Sequence, residues 1–196
     1  MLTFHGRQEL KDQRIAQVRA HREADQLVKG IYWENGKGCA VGCTVHGNNH
    51  RAYEIELGIP AELAFLEDQI FERLPNGQAM LWPERFLQAI PVGVDLRLSH
   101  INKRFVLALL VDEKRGLLSR CSDGPTKQGF VKIAEILRRG IAAPTPEEAG
   151  RAGRADRAYL ADLADLAYRA DLAYLAEILL ETLAATAARR FCWLGT

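Results

Sequence analysis

The chain of 196 residues lacks any run of eighteen apolar residues, the least that a membrane-crossing helix requires. Its opening segment, MLTFHGRQELKDQR, also lacks the apolar core of a secretory signal, because charges begin almost at once. There is no excess of one charge either. With 26 basic against 25 acidic residues and a net charge of +1, the balance gives no reason to expect nucleic acid or an anionic membrane as partner. These absences lead to the expectation of a soluble, cytoplasmic protein. Cysteine is scarce, at four residues (Cys39, Cys43, Cys121 and Cys192). In a reducing compartment these are expected as free thiols or metal ligands rather than disulfides. A single domain of this length buries roughly 70% of its unfolded surface, so no cross-link is needed for stability.

Strand signals are almost missing as well. IYW at 31–33 has β character, but ENGKG follows directly and no comparable partner run exists, so the reading is an extended connection. Helical patterning is abundant. Residues 7–29 place Leu10, Ile15, Val18 and Leu27 among charges, with Gly30 where a helix-ending glycine belongs. Leu63, Leu66, Ile70 and Leu74 repeat at helical spacing after Pro60, and a short helix is expected around 83–90 between Pro83 and Pro91. Asp95 is read as the cap of a helix carrying Leu98, Ile101, Phe105 and Leu109 up to Gly116. Thr126 is read as the cap of another, carrying Phe130, Ile133, Ile136 and Leu137 up to Gly140.

The last segment is rich in alanine and leucine. Thr145, Pro146 and Glu148 form a capping box, and the helical pattern then runs to about Arg190. The triplet Ala-Asp-Leu recurs there at steps of three and six, whereas a pentapeptide-repeat β-helix needs steps of five, so the helix is preferred. The expectation is therefore an all-α bundle of about seven helices. Residues 1–142 would form a helical core domain, and a long helix over 145–190 would pack on that core or on a second copy, which makes self-association an expected partner mode.

Chemistry concentrates in GKGCAVGCTVHGNNHRAYE, residues 36–54. A phosphate loop is excluded because Gly36-Lys37 is followed by glycine, not Ser or Thr, and a dinucleotide fingerprint because Gly36, Gly38 and Gly42 have the wrong spacing. Two readings remain. In the first, Cys39, Cys43, His46 and His50 are zinc ligands, since thiolate and imidazole are the donors zinc prefers. A straight helix would spread them over about 16 Å, too far for one ion, so convergence demands a break at Gly47-Asn48-Asn49. Alternatively His46 and His50 act with a third ligand, which could come from His21, His100, Glu67, Asp68 or Glu72. In the second reading, Gly38, Ala40, Gly42 and Cys43 make a packing seam of small residues. Glu67, Asp68 and Glu72 are otherwise read as the solvated face of their helix. No catalytic residue is assigned: Cys43 with His46 lacks a third group, and Ser99 and His100 are neighbours that do not face each other.

The runs GCAVGCTVH, YEIELGIP, LEDQIFERLP and WPERFLQAIPVGVDL, within residues 30–112, resemble a group of bacterial and phage-borne proteins without assigned activity. That resemblance implies a bacterial or phage origin and no mechanism. The pair His46 and His50, as H-x3-H, is also similar to part of the ligand set of DinB-like helical-bundle metalloproteins. Two functional expectations follow: a non-enzymatic interaction or structural protein, or a zinc-type metal-binding helical protein, with metal-dependent hydrolysis as its enzymatic form.

Overall fold

The computed structural model describes residues 1–97, 100–114, 116–122, 124–142 and 172–188. The protein is mostly α-helical, with one small two-stranded sheet. The described residues of Met1–Ser99 and Leu183–Thr196 form one compact unit, and those of His100–Thr182 another.

In the first unit a short 3-10 turn over Thr3–Gly6 leads into α1 (Gln8–Glu23). The expected helix over 7–29 thus stops six residues early, because residues 26–28 turn into extended backbone. Leu27 pairs with Gly38, Val28 N–H donates to Gly38 O at 2.8 Å, and Gly38 N–H donates to Gln26 O at 2.9 Å. The connection at 31–33 is in part a strand. β1 (Trp33–Glu34) pairs antiparallel with β2 (Lys37–Gly38) across Asn35-Gly36. Both turn residues have positive φ, 51° and 77°, which is the backbone a two-residue hairpin demands and which Asn-Gly supplies at least cost.

Next come α2 (Ala40–Val45), α3 (Arg51–Leu57), α4 (Ala61–Arg73), α5 (Asn76–Ala79) and α6 (Trp82–Ala89). All six residues of α2 are buried, and the helix packs against α1, α3, α4 and α6. Around it lie the fully buried Tyr53, Leu57, Ile59, Leu63, Phe71, Trp82, Phe86 and Leu87. Burying each large apolar side chain contributes about 1.5–3 kcal/mol. At the rim of this core, Lys11 on α1 caps the end of α6, with Nζ donating to Gln88 O and Ile90 O at 2.8 and 2.7 Å. Arg19 and Arg22, also on α1, both reach Glu84 on α6.

The second unit contains α7 (Ile101–Val111), α8 (Leu117–Arg120) and α9 (Gly124–Ala142). Val106, Leu110, Ala134 and Leu137 form its buried cluster, with Leu107, Val111, Leu117, Phe130 and Ile133 packed against it. α7 begins at Ile101, not after Asp95: the Asp95 carboxylate instead accepts from the chain's amino group and from Arg97 N–H. The final helix, α10 (Leu172–Ala188), is helical as expected and buries Leu175, Ile178, Leu179 and Leu183. The capping box at Thr145 and the rest of the expected helix over 145–190 lie outside the described residues. Among the described residues, no helix is long and apolar enough to cross a membrane.

Candidate metal centre

Why the backbone can bring α2 so close to its neighbours is set by two glycines. A Cβ on Gly42 would lie 1.4 Å from Tyr32 O, and one on Gly38 2.1 Å from the same atom. The small-residue seam is therefore present, but its partner is the backbone of residues 31–33 and not a second helix. Cys39 N–H donates to Ile31 O at 2.6 Å and to Tyr32 O at 3.2 Å, which fixes Cys39 as the residue that opens α2.

The chain then breaks one residue earlier than the sequence indicated. His46 takes the left-handed conformation at φ 50°, ψ 45° and ends α2. Residues 47–50 turn back, and Asn49 Oδ1 accepts from Arg51 N–H at 2.9 Å at the start of α3. This turn lays His50 against α4. Its Nε2 sits 3.6 Å from Asp68 Oδ2, and its ring meets Tyr32 and Phe65 edge-on, each at a centroid distance of 5.5 Å.

α4 does not present Glu67 and Asp68 to solvent. Glu67 is fully buried and Asp68 is 4% exposed. The correction has a readable cause: Leu63, Glu67, Ile70 and Leu74 follow one helical stripe, and Ala64, Asp68 and Phe71 the adjacent one, so both carboxylates lie inside the apolar face. Glu72, one turn beyond Asp68, accepts Gly30 N–H on both carboxylate oxygens at 3.0 Å.

Cys39, Asp68 and Glu72 consequently converge, each offering a ligand atom within 4.8 Å of the others. His50 joins through Asp68. Around zinc, donors bonded at about 2.0–2.3 Å stand roughly 3.3–3.8 Å apart, so small side-chain adjustments would close the three on one ion. The cluster is anionic and short of partners. Asp68 Oδ1 and His50 Nε2 are buried without a hydrogen bond, and among the described residues no lysine or arginine pairs with Asp68 or Glu72. Burial, and then the Asp68 carboxylate, push the Cys39 thiol far above its ordinary pKa, so without a cation it keeps its proton.

Behind the cluster, Tyr53 O–H donates to Glu67 Oε2 at 2.5 Å, and Trp82 Nε1–H donates to Glu67 O at 3.0 Å. Complete burial raises the Glu67 carboxyl well above the usual range, as it does the Tyr53 phenol. Glu67 Oε1 has no partner.

The four expected ligands are thus divided. Cys39 lies beside Asp68 and Glu72, and His50 beside Asp68. Cys43 points elsewhere: its thiol donates to Gly38 O at 3.3 Å, and burial pushes its pKa up to about 12. His46 lies at the opposite end of α2 from Cys39, about 10 Å along the axis, and its Nε2 meets His21 Nε2 at 2.9 Å. The H-x3-H pair of His46 and His50 is therefore split between two clusters. Asp68 and Glu72, read from the sequence as the solvated face of their helix or as a candidate third ligand, are as much part of this cluster as the cysteine is. Comparison with protein-family models, with curated proteins and with solved structures finds no match for this chain.

Proposed function

We propose that this protein is a non-enzymatic helical protein whose first unit is fastened by a zinc-class cation held by Cys39, Asp68 and Glu72, with His50 as fourth donor. The observation that carries this reading is the convergence of the buried Cys39 thiol and Asp68 carboxylate with the half-buried Glu72, beside His50, with Asp68 Oδ1 and His50 Nε2 unpartnered and, among the described residues, no lysine or arginine paired with the carboxylates. Thiolate with imidazole selects a borderline-soft ion over magnesium or calcium, which take oxygen donors. Cys39 would hold such a cation as its thiolate, its proton passing to solvent. The donors arise from the start of α2, the turn before α3 and the second half of α4, so one ion would tie three segments together. Burial of Cys39 and Asp68 suits a holding role better than hydrolysis, which needs an open coordination position for water or substrate. The resemblance to bacterial and phage-borne proteins agrees with this reading without adding a mechanism.

Elemental analysis of untagged full-length protein tests it. Near-stoichiometric zinc is expected, and Cys39→Ser and Asp68→Asn should each lose it while Cys43→Ser keeps it. Less than a tenth of an equivalent, unchanged after incubation with zinc, would falsify the proposal.

A further inference from the structure

A second cluster lies at the other end of α2. His21, in the last turn of α1, and His46, which ends α2, bring their Nε2 atoms to 2.9 Å. His21 Nδ1 donates to Gln26 Oε1 at 2.7 Å, because an amide oxygen can only accept. His21 therefore carries its proton on Nδ1 and turns the Nε2 lone pair toward His46. An acceptor behind one ring nitrogen, fixing the tautomer and aiming the other, is the arrangement that supports histidine ligands to metals. Trp33 fixes the second ring, stacking on His46 at 4.4 Å with an interplanar angle of 14° and meeting His21 edge-on at 5.3 Å. His46 is exposed and His21 half-buried, so an ion could enter from solvent. The groups facing His46 are His21, Arg14 and Glu56, of which Arg14 pairs with Glu56 at 2.8 Å.

We propose that His21 and His46 form a second, labile cation site for an imidazole-preferring transition-metal ion, with Ni2+, Cu2+ and Zn2+ as its chemical class and water as the remaining ligands. The site shares no donor with the Cys39 cluster. In the cation-free protein His46 donates its Nε2 proton to His21. When an ion takes both Nε2 lone pairs, that proton moves through water to His46 Nδ1, and none is released overall. Affinity within this class should rise from zinc or nickel toward copper, as the general order for such donors predicts.

Trp33 gives the site its own reporter. Ni2+ titrated into the untagged full-length protein should quench tryptophan fluorescence saturably. The midpoint should rise by at least about tenfold in His21→Ala and in His46→Ala, and by severalfold in Gln26→Leu. Trp33→Phe should lose the quench yet still bind Ni2+ by calorimetry. Asp68→Asn, which empties the first site, should leave the midpoint unchanged, so the two sites fail separately. Quenching with an unaltered midpoint in both histidine variants, or no saturable binding in the parent, overturns the second site. Should circular dichroism show that the alanine variants lose helix, Gln26→Leu decides: an unshifted midpoint there is equally fatal.

Discussion

Two carboxylates in the first unit, Glu84 and Asp68, meet opposite circumstances. Glu84 on α6 lies near the surface and is embraced by two guanidiniums, Arg19 at 2.6 Å and Arg22 at 2.7 Å. Asp68 on α4 is more deeply buried and, among the described residues, faces no guanidinium or ammonium: its neighbours are the Cys39 thiol and the His50 imidazole, the latter at 3.6 Å. The better shielded carboxylate is therefore the one less well supplied. Burying a charge is costly unless it is paired, so the arrangement at Asp68 makes sense when the compensating positive charge comes from outside the chain. The contrast separates a structural ion pair from the proposed site.

Removing the cation breaks this contrast most strongly. At free zinc a thousandfold above the dissociation constant, binding adds about 4 kcal/mol to stability, and a chelator should remove it, seen as a fall in the thermal midpoint. Asp68→Asn sharpens the test by reversing its sign. In zinc the variant should be less stable than the parent, whereas in chelator it should be as stable or more so, because it no longer buries an uncompensated charge. A matching change at Glu84 should respond to chelator as the parent does.

Next in size is Gly42→Ala. Its Cβ would meet Tyr32 O at 1.4 Å, backbone that cannot rotate away, so α2 or residues 31–33 must shift. A cost of about 3 kcal/mol is expected from chemical denaturation, along with loss of zinc, because Cys39 is positioned by the same contact. Ala40→Gly, in contrast, adds no atom to the seam and should retain zinc.

Tyr53→Phe comes third. It leaves the buried Glu67 carboxyl without its phenol donor, at an expected cost of about 1–3 kcal/mol. Because Glu67 stands behind the cluster and is not among its converging donors, zinc stoichiometry should not change. Loss of zinc in this variant would make Glu67 part of the centre.

How much of this was legible in the sequence depends on the range of the interaction that decides each point. The helices were, since their apolar spacing reflects local burial: α4, α6 and α9 lie close to where Leu63, Pro83 and Thr126 place them. The hairpin was legible but passed over, for Asn35-Gly36 carries a turn signal stronger than the weak strands beside it. The sequence singled out Cys39, Cys43, His46 and His50 together, with Asp68 and Glu72 among the donors within reach; the structure sets Cys39 beside Asp68 and Glu72, and His50 beside Asp68. The sequence could not divide Cys39 from Cys43 or His50 from His46. That division follows from the left-handed turn at His46 and from the approach of Gly42 to Tyr32, both tertiary events. The burial of Glu67 and Asp68 was hidden for a related reason: charged residues inside an apolar stripe are ordinarily read as breaks in it, not as members.

The smallest effect belongs to Glu84, and its pH dependence completes the comparison. The Arg19 hydrogen bond, more than the partial burial that opposes it, holds the Glu84 carboxyl below its ordinary pKa of 4.5. A carboxylate with a depressed folded-state pKa contributes stability above its unfolded value, and that contribution fades as pH falls through the folded one. Glu84→Gln should therefore be slightly less stable than the parent at pH 7, and the two should converge in urea midpoint as the pH is lowered below about 4.5. The gap should also narrow in high salt, since Arg19 is exposed and its attraction to Glu84 is screened. Zinc content in this variant should match the parent throughout. A carboxylate satisfied by the chain's own cations acts as a local pair, so Glu84 is the control against which the proposed site at Asp68 is measured.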